Sequence, residues 1–411
     1  MADAIQAPRG TFDILPADSA ARARVHVAAA TLFELAGYGR IETPAFEDTQ
    51  LFARGVGEGT DIVHKEMFTF TDQGDRSLTL RPEATAAVCR AYIEHGMHRL
   101  PQPVKLWSWG PFFRHERPQA GRFRQFHQLN AEAIGSDLPL VDAELIMLLD
   151  DLLRGLGVPG LKLRLSSLGT PASRLAYREE LLAYLREHDD ELSPEVRERM
   201  AENPLRAFDS KDPGTRAAMA QAPRLIDQLE HADAEHFAEV RSLLDQAGVE
   251  YVLDGTLVRG LDYYTRTVFE FESERLDAQA ATIGGGGRYD GLVEALGGPP
   301  ASGCGWAGGI ERILLAVAEP QPDPVADVFV AAPETQAASA FALVHELRNA
   351  GLRAELDLAG RSLKGQMKHA NRLGARRTVI LDEQGAAEVR DMQSGEQTAL
   401  DLARAAEALS R

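Results

Sequence analysis

Residues 104–135 read VKLWSWGPFFRHERPQAGRFRQFHQLNAEAIG, two aromatic and apolar runs that meet at a break carrying Pro118 and Gly121. Such runs, with turn formers between them, predict a β-hairpin. The break is also basic: Arg114, Arg117, Arg122 and Arg124 crowd together with only Glu116 against them, in a chain whose net charge is -18. A solvated face explains a charge run as well as a binding surface does. Strand alternation bears on the choice, because every second side chain points the same way. It predicts Arg114 and Glu116 on one face of the first strand, and Arg122, Arg124, Phe126, Gln128 and Glu132 on one face of the second. Guanidinium groups that grip phosphate, a ring for stacking, and an amide and carboxylate beyond them suit a nucleotide beside a small polar molecule.

Around this hairpin the chain is long, 411 residues, and at roughly 100–200 residues per domain it predicts two or three domains. Hydrophobic residues make up 44% and charged residues 26%, a composition that excludes collagen-like and wholly disordered classes. Only Cys89 and Cys304 are present, with no CxxC pair, so neither a disulfide framework nor a cysteine zinc site is supported. Reduced cytoplasm is the expected compartment. The start MADAIQAPRGTFDILP has no basic segment leading into an apolar run, and no stretch of about 18 apolar residues occurs, so neither export nor a membrane span is expected. The acidic balance argues against strong nonspecific nucleic-acid binding but leaves room for local basic faces. One candidate is RSLKGQMKHANRLGARR, where Lys364, Lys368, Arg372 and Arg376 recur every fourth residue. A solvated helix explains that spacing equally well.

Organisation follows from periodicity and punctuation. Residues 17–36 predict a helix with Ser19 as N-cap, a stripe of Val25, Ala28, Leu32 and Leu35, and Gly37 as its end; an extended RIETPAF follows. Thr170-Pro171 and Ser193-Pro194 are helix starts, and Leu181, Leu182 and Leu185 sit at helical spacing, so residues 170–248 predict a mostly helical insertion. Strand character returns in EYVLDGTLVRGLDYYTRTVFEFES, then TIGGGGRYDGL brings consecutive glycines that allow close backbone approach. SGCGWAGGIERILLAV predicts a glycine-rich strand entering a helix, with Ile310, Ile313, Leu314 and Val317 on one face. The prolines of EPQPDPVAD predict a linker. Beyond it, DVFVAAP, RAELDL and RRTVILD alternate with helical stretches, the pattern of a small α/β domain with a mostly parallel sheet.

Familiar phosphate-binding templates are absent: there is no GxxxxGK[ST], and GGGGRYDG lacks GxGxxG spacing. HERPQ lacks the second histidine of a metalloprotease helix. What remains is the start of GGIERILL, where free N–H groups and the helix dipole favour an anion and Arg312 lies in the first turn; a surface arginine also accounts for Arg312.

Taken together, TLRPEAT (79–85), FRHERPQAGRFRQFHQ (113–128), LVRGLDYYTRTVFE (257–270), GGGGRYDGL (284–292) and GIER (309–312) stand in the order found in histidyl-tRNA synthetases, and with the RGTFDILP start the chain resembles that family over essentially its whole length. FRHER and GIER resemble the second and third class II signature motifs; LVRGLDYY and GGGRYDGL resemble segments specific to the histidine enzymes. The resemblance implies an α+β catalytic core, residues 1–169 and 249–320, with the class II antiparallel sheet and flanking helices. It also implies the insertion at 170–248 and a C-terminal α/β anticodon-binding domain at 325–411. The first helix and RIETPAF, with Pro44, look like the first class II motif, which builds a homodimer interface.

The implied activity is activation of L-histidine by ATP to histidyl-adenylate, with magnesium (Mg2+) accompanying the ATP, followed by transfer to the 3' end of tRNA(His). By resemblance Arg114 holds the α-phosphate, Glu116 the adenine end, Phe126 stacks on the ring and Arg312 binds the γ-phosphate. Arg259 matches the family's catalytic arginine, at the α-phosphate and the histidine carboxylate. Glu83 and Thr85 match residues at the α-amino group, Gln128 one at the amino-acid backbone, and Glu132, Tyr263, Tyr264 and Tyr289 the imidazole pocket. Arg117, Gln119 and Arg122 would meet the acceptor end of the tRNA, and Lys364, Lys368, Arg372 and Arg376 become an RNA surface in the last domain. Asn130 and Trp306 depart from the glycine and phenylalanine common at their positions. Two other functions share this fold or surface: a regulatory subunit of ATP phosphoribosyltransferase, and a tRNA-binding protein without catalysis. Regulatory paralogues typically lack the anticodon-binding domain and have eroded motifs, whereas here Arg114, Arg259, Arg312 and the residues after 325 are all present.

Overall fold

The computed structural model describes residues 4–57, 60, 62–201, 204–257, 259–276, 281–317 and 326–410. Helix α1 (Pro16–Leu35) starts one turn earlier than Ser19 suggested, because Pro16 takes the first helical position, where its missing N–H costs nothing. Ser19 lies inside that turn and donates its N–H to Leu15 O. The buried face of α1 is Arg22, Val25, Ala29 and Phe33, a stripe rotated from the expected Ala28, Leu32 and Leu35. Phe33 decides the rotation: its ring stacks at 5.2 Å on Trp107 and 5.9 Å on Trp306, while Leu35 is left 83% exposed.

Then come β1 (Gly39–Arg40), β2 (Phe46–Asp48), α2 (Thr49–Val56), β3 (Phe68–Thr71), β4 (Ser77–Leu80) and α3 (Thr85–Glu94). The hairpin forms as β5 (Val104–Phe113) and β6 (Gln125–Ile134), followed by α4 (Pro139–Gly155) and β7 (Leu161–Ser167). Helices α5 (Pro171–Glu187), α6 (Pro194–Arg199), α7 (Pro213–Met219) and α8 (His231–Ala247) occupy the helical stretch, and Thr170 and Ser193 cap α5 and α6 by accepting from Ser173 N and Val196 N. The chain returns through β8 (Val252–Leu253), β9 (Thr265–Ser273), β10 (Thr282–Arg288), α9 (Leu292–Ala295), β11 (Gly303–Gly309) and α10 (Ile310–Ala316).

Among the described residues one eight-stranded sheet has the order β1-β5-β6-β11-β10-β9-β7-β8, and β2-β4-β3 form a second, smaller sheet. From β5 through β7 every pairing of the large sheet is antiparallel, as expected. Its two edges differ: β1 and β8 pair in parallel with β5 and β7. Leu129, Ala131 and Ala133 of β6 point into a core shared with α1 and α4, so the even-numbered residues of β6 face the other way. Tyr177, Leu181 and Leu185 of α5 pack in one cluster with Leu257, Tyr264 and Val268, so the helical stretch leans on β9 and the paired tyrosines that lead into it.

The strands of the hairpin stop short of its arginines. Since β5 ends at Phe113 and β6 begins at Gln125, Arg114, Glu116, Arg122 and Arg124 lie in the connection and do not share strand faces as expected. Pro118, without an N–H, and Gly121, at φ 70°, break the alternation, and only Gln119 and Arg122 bridge at the tip.

The chain divides into two compact units, Met1–Ala318 and Glu319–Arg411. The proline stretch expected as a linker, residues 319–327, lies outside the described residues apart from Ala326 and Asp327. The second unit runs β12 (Val328–Ala331), α11 (Ala337–Asn349), β13 (Ala354–Leu356), α12 (Leu363–Arg372), β14 (Arg377–Leu381), β15 (Ala387–Asp391), β16 (Gln397–Leu400) and α13 (Ala405–Leu409). Its sheet, β13-β12-β14-β15-β16, is parallel across the three strands anticipated from sequence and antiparallel where β15 and β16 extend it. Lys364, Lys368 and Arg372 are exposed on α12. Arg376 is not on that face: the helix ends at Arg372, Gly374 turns the chain at φ 63°, and Arg376 sits 3.8 Å from Asp327.

Candidate active site

A cavity of about 420 Å³ opens on the face of the large sheet away from the α1–α4 core. Its floor is laid by β6, whose alternation aims Phe126, Gln128, Asn130 and Glu132 the same way. Across the sheet the floor must be bare, and glycine makes it so. Gly305 lies opposite Glu132, and a Cβ there would come within 1.8 Å of Glu132 Oε2; one on Gly303 would come within 2.2 Å of the Tyr289 ring.

At one end of the cavity the polar groups are buried and bonded to one another. Glu132, 2% exposed, accepts from Tyr289 Oη–H at 2.6 Å and from Thr85 Oγ1–H at 2.7 Å. Burial pushes its carboxyl up to about 8, so in the empty site it is largely protonated at neutral pH. Glu83, also buried, accepts from the N–H groups of Thr85 (2.7 Å) and Ala86 (2.9 Å) at the start of α3 and from Tyr263 Oη–H at 3.4 Å. Burial raises its carboxyl too, against those bonds. The rings of Tyr263 and Tyr264 lie 4.7 Å apart, and Tyr263 meets Tyr289 edge-on at 5.9 Å. Glu83, Thr85, Gln128, Tyr263 and Tyr264 line the cavity; Glu132 and Tyr289 sit behind that lining. Gln128 lines the cavity, and its carbonyl oxygen, Oε1, is buried without a hydrogen-bond partner.

The other end is basic. Arg259 forms an ion pair with Glu270 of β9, stands 5.7 Å from the Tyr264 ring, and keeps Nε unpartnered. Burial works against its charge, but Glu270 and Tyr264 hold the guanidinium above its usual value. Arg114 donates from Nε to Pro82 O at 2.9 Å and lies 5.5 Å over the Phe126 ring. Glu116 faces Arg122 at 3.4 Å. Arg312, at the start of α10, donates to Gly121 O (3.1 Å) and Thr282 O (2.7 Å); burial first, then the neighbouring Arg122, lowers its proton affinity. Four guanidinium groups, of Arg114, Arg122, Arg259 and Arg312, thus line one cavity, which suits a polyphosphate. Arg122, expected at an RNA acceptor end, lines this cavity, whereas Arg117 and Gln119 are exposed at the tip of the connection.

Sequence reasoning passed over two carboxylates inside motifs it had quoted. Glu270, the last residue of LVRGLDYYTRTVFE, holds Arg259. Glu311 of GIER accepts from Arg22 Nη2 (2.6 Å) and from the His127 N–H (3.0 Å), and its ring contact to His127 Nδ1 is 3.2 Å. Burial would raise the Glu311 carboxyl, but those bonds outweigh it and hold it below the usual range. Among the described residues no three acidic, histidine or cysteine side chains converge as a metal cage. No helix among them is long and apolar enough to cross a membrane, and Cys89 and Cys304 are free and buried.

The chain is similar over nearly its full length to known proteins. Residues 10–313 match the family model described as histidyl-tRNA synthetase, and residues 327–411 match the one described as anticodon binding domain. The histidine–tRNA ligase of Desulforamulus reducens is 48% identical, over 96% of this chain and 96% of its own; that of Moorella thermoacetica is 49% identical over the same shares. Among solved structures, apo histidyl-tRNA synthetase of S. aureus superposes with a TM-score of 0.83 at 38% identity, covering 99% of this chain and 100% of that one.

Proposed function

The chain belongs to the histidyl-tRNA synthetase family, and from that premise we infer that it is an ATP-dependent histidine–tRNA ligase. It activates L-histidine to histidyl-adenylate with release of pyrophosphate, then transfers histidine to the 3' end of tRNA(His). The observation that carries the assignment of the site is the polarity of this cavity: Glu83 and Tyr263 line one end, with the Glu132–Tyr289 pair behind them, and four arginines line the other.

In this reading histidine enters with its imidazole toward Glu132, Tyr264 and Tyr289. Its α-amino group lies at Glu83 and Thr85, and its carboxylate lies toward Gln128 and Arg259. An imidazole has two different ring nitrogens, and a carboxyl at one with phenols nearby rejects isosteric rings by leaving buried polar groups unpaired. ATP lies with its base between Phe126 and Glu116 and its phosphates among Arg114, Arg259 and Arg312. One histidine carboxylate oxygen attacks the α-phosphorus. The new P–O bond forms as the bond to pyrophosphate breaks, and Arg114 and Arg259 stabilise the charge that gathers on the equatorial oxygens. The nucleophile is already anionic, so no general base is needed for this step. In the second step a 3'-terminal hydroxyl attacks the histidyl carbonyl, the new ester C–O bond forms as the bond to AMP breaks, and the hydroxyl proton passes to the departing phosphate.

Magnesium would arrive on the triphosphate and offset its charge. With no acidic cage among the described residues, phosphate and water would supply most of its oxygen shell. Glu270, which lines the cavity beside Arg259, is the carboxylate placed to complete it. A homodimer through α1 is supported by Val27 and Leu35, 62% and 83% exposed, which a second copy would cover. Cytoplasmic residence accords with two unpaired, buried cysteines. Arg117, Gln119, Lys364, Lys368 and Arg372, all exposed, are the RNA-facing candidates. The test is ATP–pyrophosphate exchange with each amino acid in turn: exchange with histidine alone is expected, and exchange with none, from folded protein, would leave the ligase reading without its first step.

A further inference from the structure

The segment RGTFDILP was part of the family resemblance, but nothing in the reaction uses it. Its path is specific. Pro8–Thr11 form a tight turn in which Thr11 N–H donates to Pro8 O at 3.0 Å and Gly10 takes φ 88°, a value that suits glycine at the third position of such a turn. That turn lies directly on the connection between β5 and β6. Arg124 N–H donates to Gly10 O at 2.7 Å, and a Cβ on Gly10 would meet Arg124 Cγ at 2.8 Å and Pro118 Cγ at 3.0 Å. Two residues on, the Phe12 and Phe123 rings pack with centroids 4.6 Å apart.

The contacts form a closed ring. Arg22 of α1 stands 5.7 Å from the Phe12 ring and pairs with Glu311; Glu311 is followed by Arg312, whose Nε donates to Gly121 O in the same connection. The β5–β6 connection is therefore held on one side by Phe12 and Gly10 and on the other by Arg312, and the two holders are joined through Arg22 and Glu311. Among the described residues, Phe12, Phe123, Arg22 and Glu311 make their contacts with one another and with His127, and not with Glu83, Glu132 or the tyrosines.

We propose that Phe12 is a positioning residue for the nucleotide: residues 8–14 form a strap that holds the β5–β6 connection, and with it Arg114 and Glu116, over the cavity. The inference rests on the reading of that connection as the ATP-binding wall. Its signature is a split between substrates. Phe12→Ala is expected to raise the KM for ATP in pyrophosphate exchange about three- to ten-fold, the range for losing an aromatic pair. The KM for histidine and the Tm should stay near those of the parent, because Phe12 is 36% exposed and outside the core. Phe12→Tyr should restore the ATP value. Phe123→Ala should match Phe12→Ala, and the double variant should be no worse than either single, since the two rings act as one contact. If Phe12→Ala is insoluble, Phe12→Leu reads the same split.

An unchanged KM for ATP, an equal rise for ATP and histidine, or additive single effects would overturn the strap. Arg312→Ala, measured alongside, separates the two levels of the argument. If it too leaves the KM for ATP unchanged, the reading of this wall as the ATP site fails. If it raises that KM while Phe12→Ala does not, the strap alone fails.

Discussion

Glu132→Gln should stabilise the protein, and more so as the pH rises. In the unfolded chain this carboxyl ionises near its ordinary 4.5; in the folded chain burial holds its proton to about 8. Between those values the unfolded state binds fewer protons than the folded one, so the contribution of Glu132 to stability falls as pH increases. At about 1.4 kcal/mol per pH unit, the cost grows from nothing below pH 4.5 to about 5 kcal/mol above pH 8, with about 2.5 kcal/mol of it accruing between roughly pH 6 and 8.5. Glutamine has no proton to lose and keeps the shape. Its amide oxygen can accept from Tyr289, and its NH2 can donate to Thr85, whose hydroxyl reverses its role.

The assay is urea unfolding followed by tryptophan fluorescence across that pH range. Trp107, Trp109 and Trp306 all lie in the first unit, so the signal reports the unit that holds Glu132. Every other titration is common to both proteins and cancels in the difference. A stability difference that is flat with pH, or a variant less stable than its parent at every pH, would refute the burial argument. The same variant should lose affinity for histidine, since the group that meets the imidazole is gone.

Arg259→Ala should abolish adenylate formation, with a loss of at least roughly 100-fold in pyrophosphate exchange, while the circular dichroism spectrum is unchanged. Gly305→Ala would drive a methyl to within 1.8 Å of Glu132 Oε2; the KM for histidine should rise much more than that for ATP. Arg288 is wholly buried against Asp142, which also meets His236 Nε2 at 3.3 Å, so Arg288→Met takes away the buried carboxylate's guanidinium and leaves it only His236. The expected cost is about 3–5 kcal/mol, read as a lower urea midpoint. Ending the chain after residue 318 should impair tRNA charging far more than exchange with free histidine; equal losses would assign the second unit to support of the first.

What the sequence made legible was whatever rests on local rules. The hairpin, the capped helices at Thr170 and Ser193, the strand-to-helix passage through GIER and the three parallel strands of the second unit all follow from periodicity, proline and glycine. What it hid were choices made between distant segments. The stripe of α1 turned toward Phe33 because Trp107 and Trp306 wait on the other side, and no helical period contains that information. Alternation was carried past Phe113, where the strand had ended, and a four-residue spacing was carried past Arg372, where the helix had ended. Glu270 and Glu311 were in plain view inside quoted motifs, but only folding shows which arginines they face.

Carboxylates set against the cavity arginines, Glu270 and Glu116, explain how a chain with a net charge of -18 can present arginines to a polyphosphate. A buried guanidinium without a partner is costly, and one left to swing in solvent is poorly aimed. Pairing Arg259 with Glu270, and Arg122 with Glu116, avoids both faults in the empty enzyme. The pairing has a consequence for binding: a phosphate approaching Arg259 meets a field already partly cancelled by Glu270, so its affinity is lower than four free arginines would give. What the arrangement secures in exchange is direction. The donors are fixed before the substrate arrives, and fixed donors favour the geometry in which charge has moved onto the equatorial oxygens over the one in which it has not.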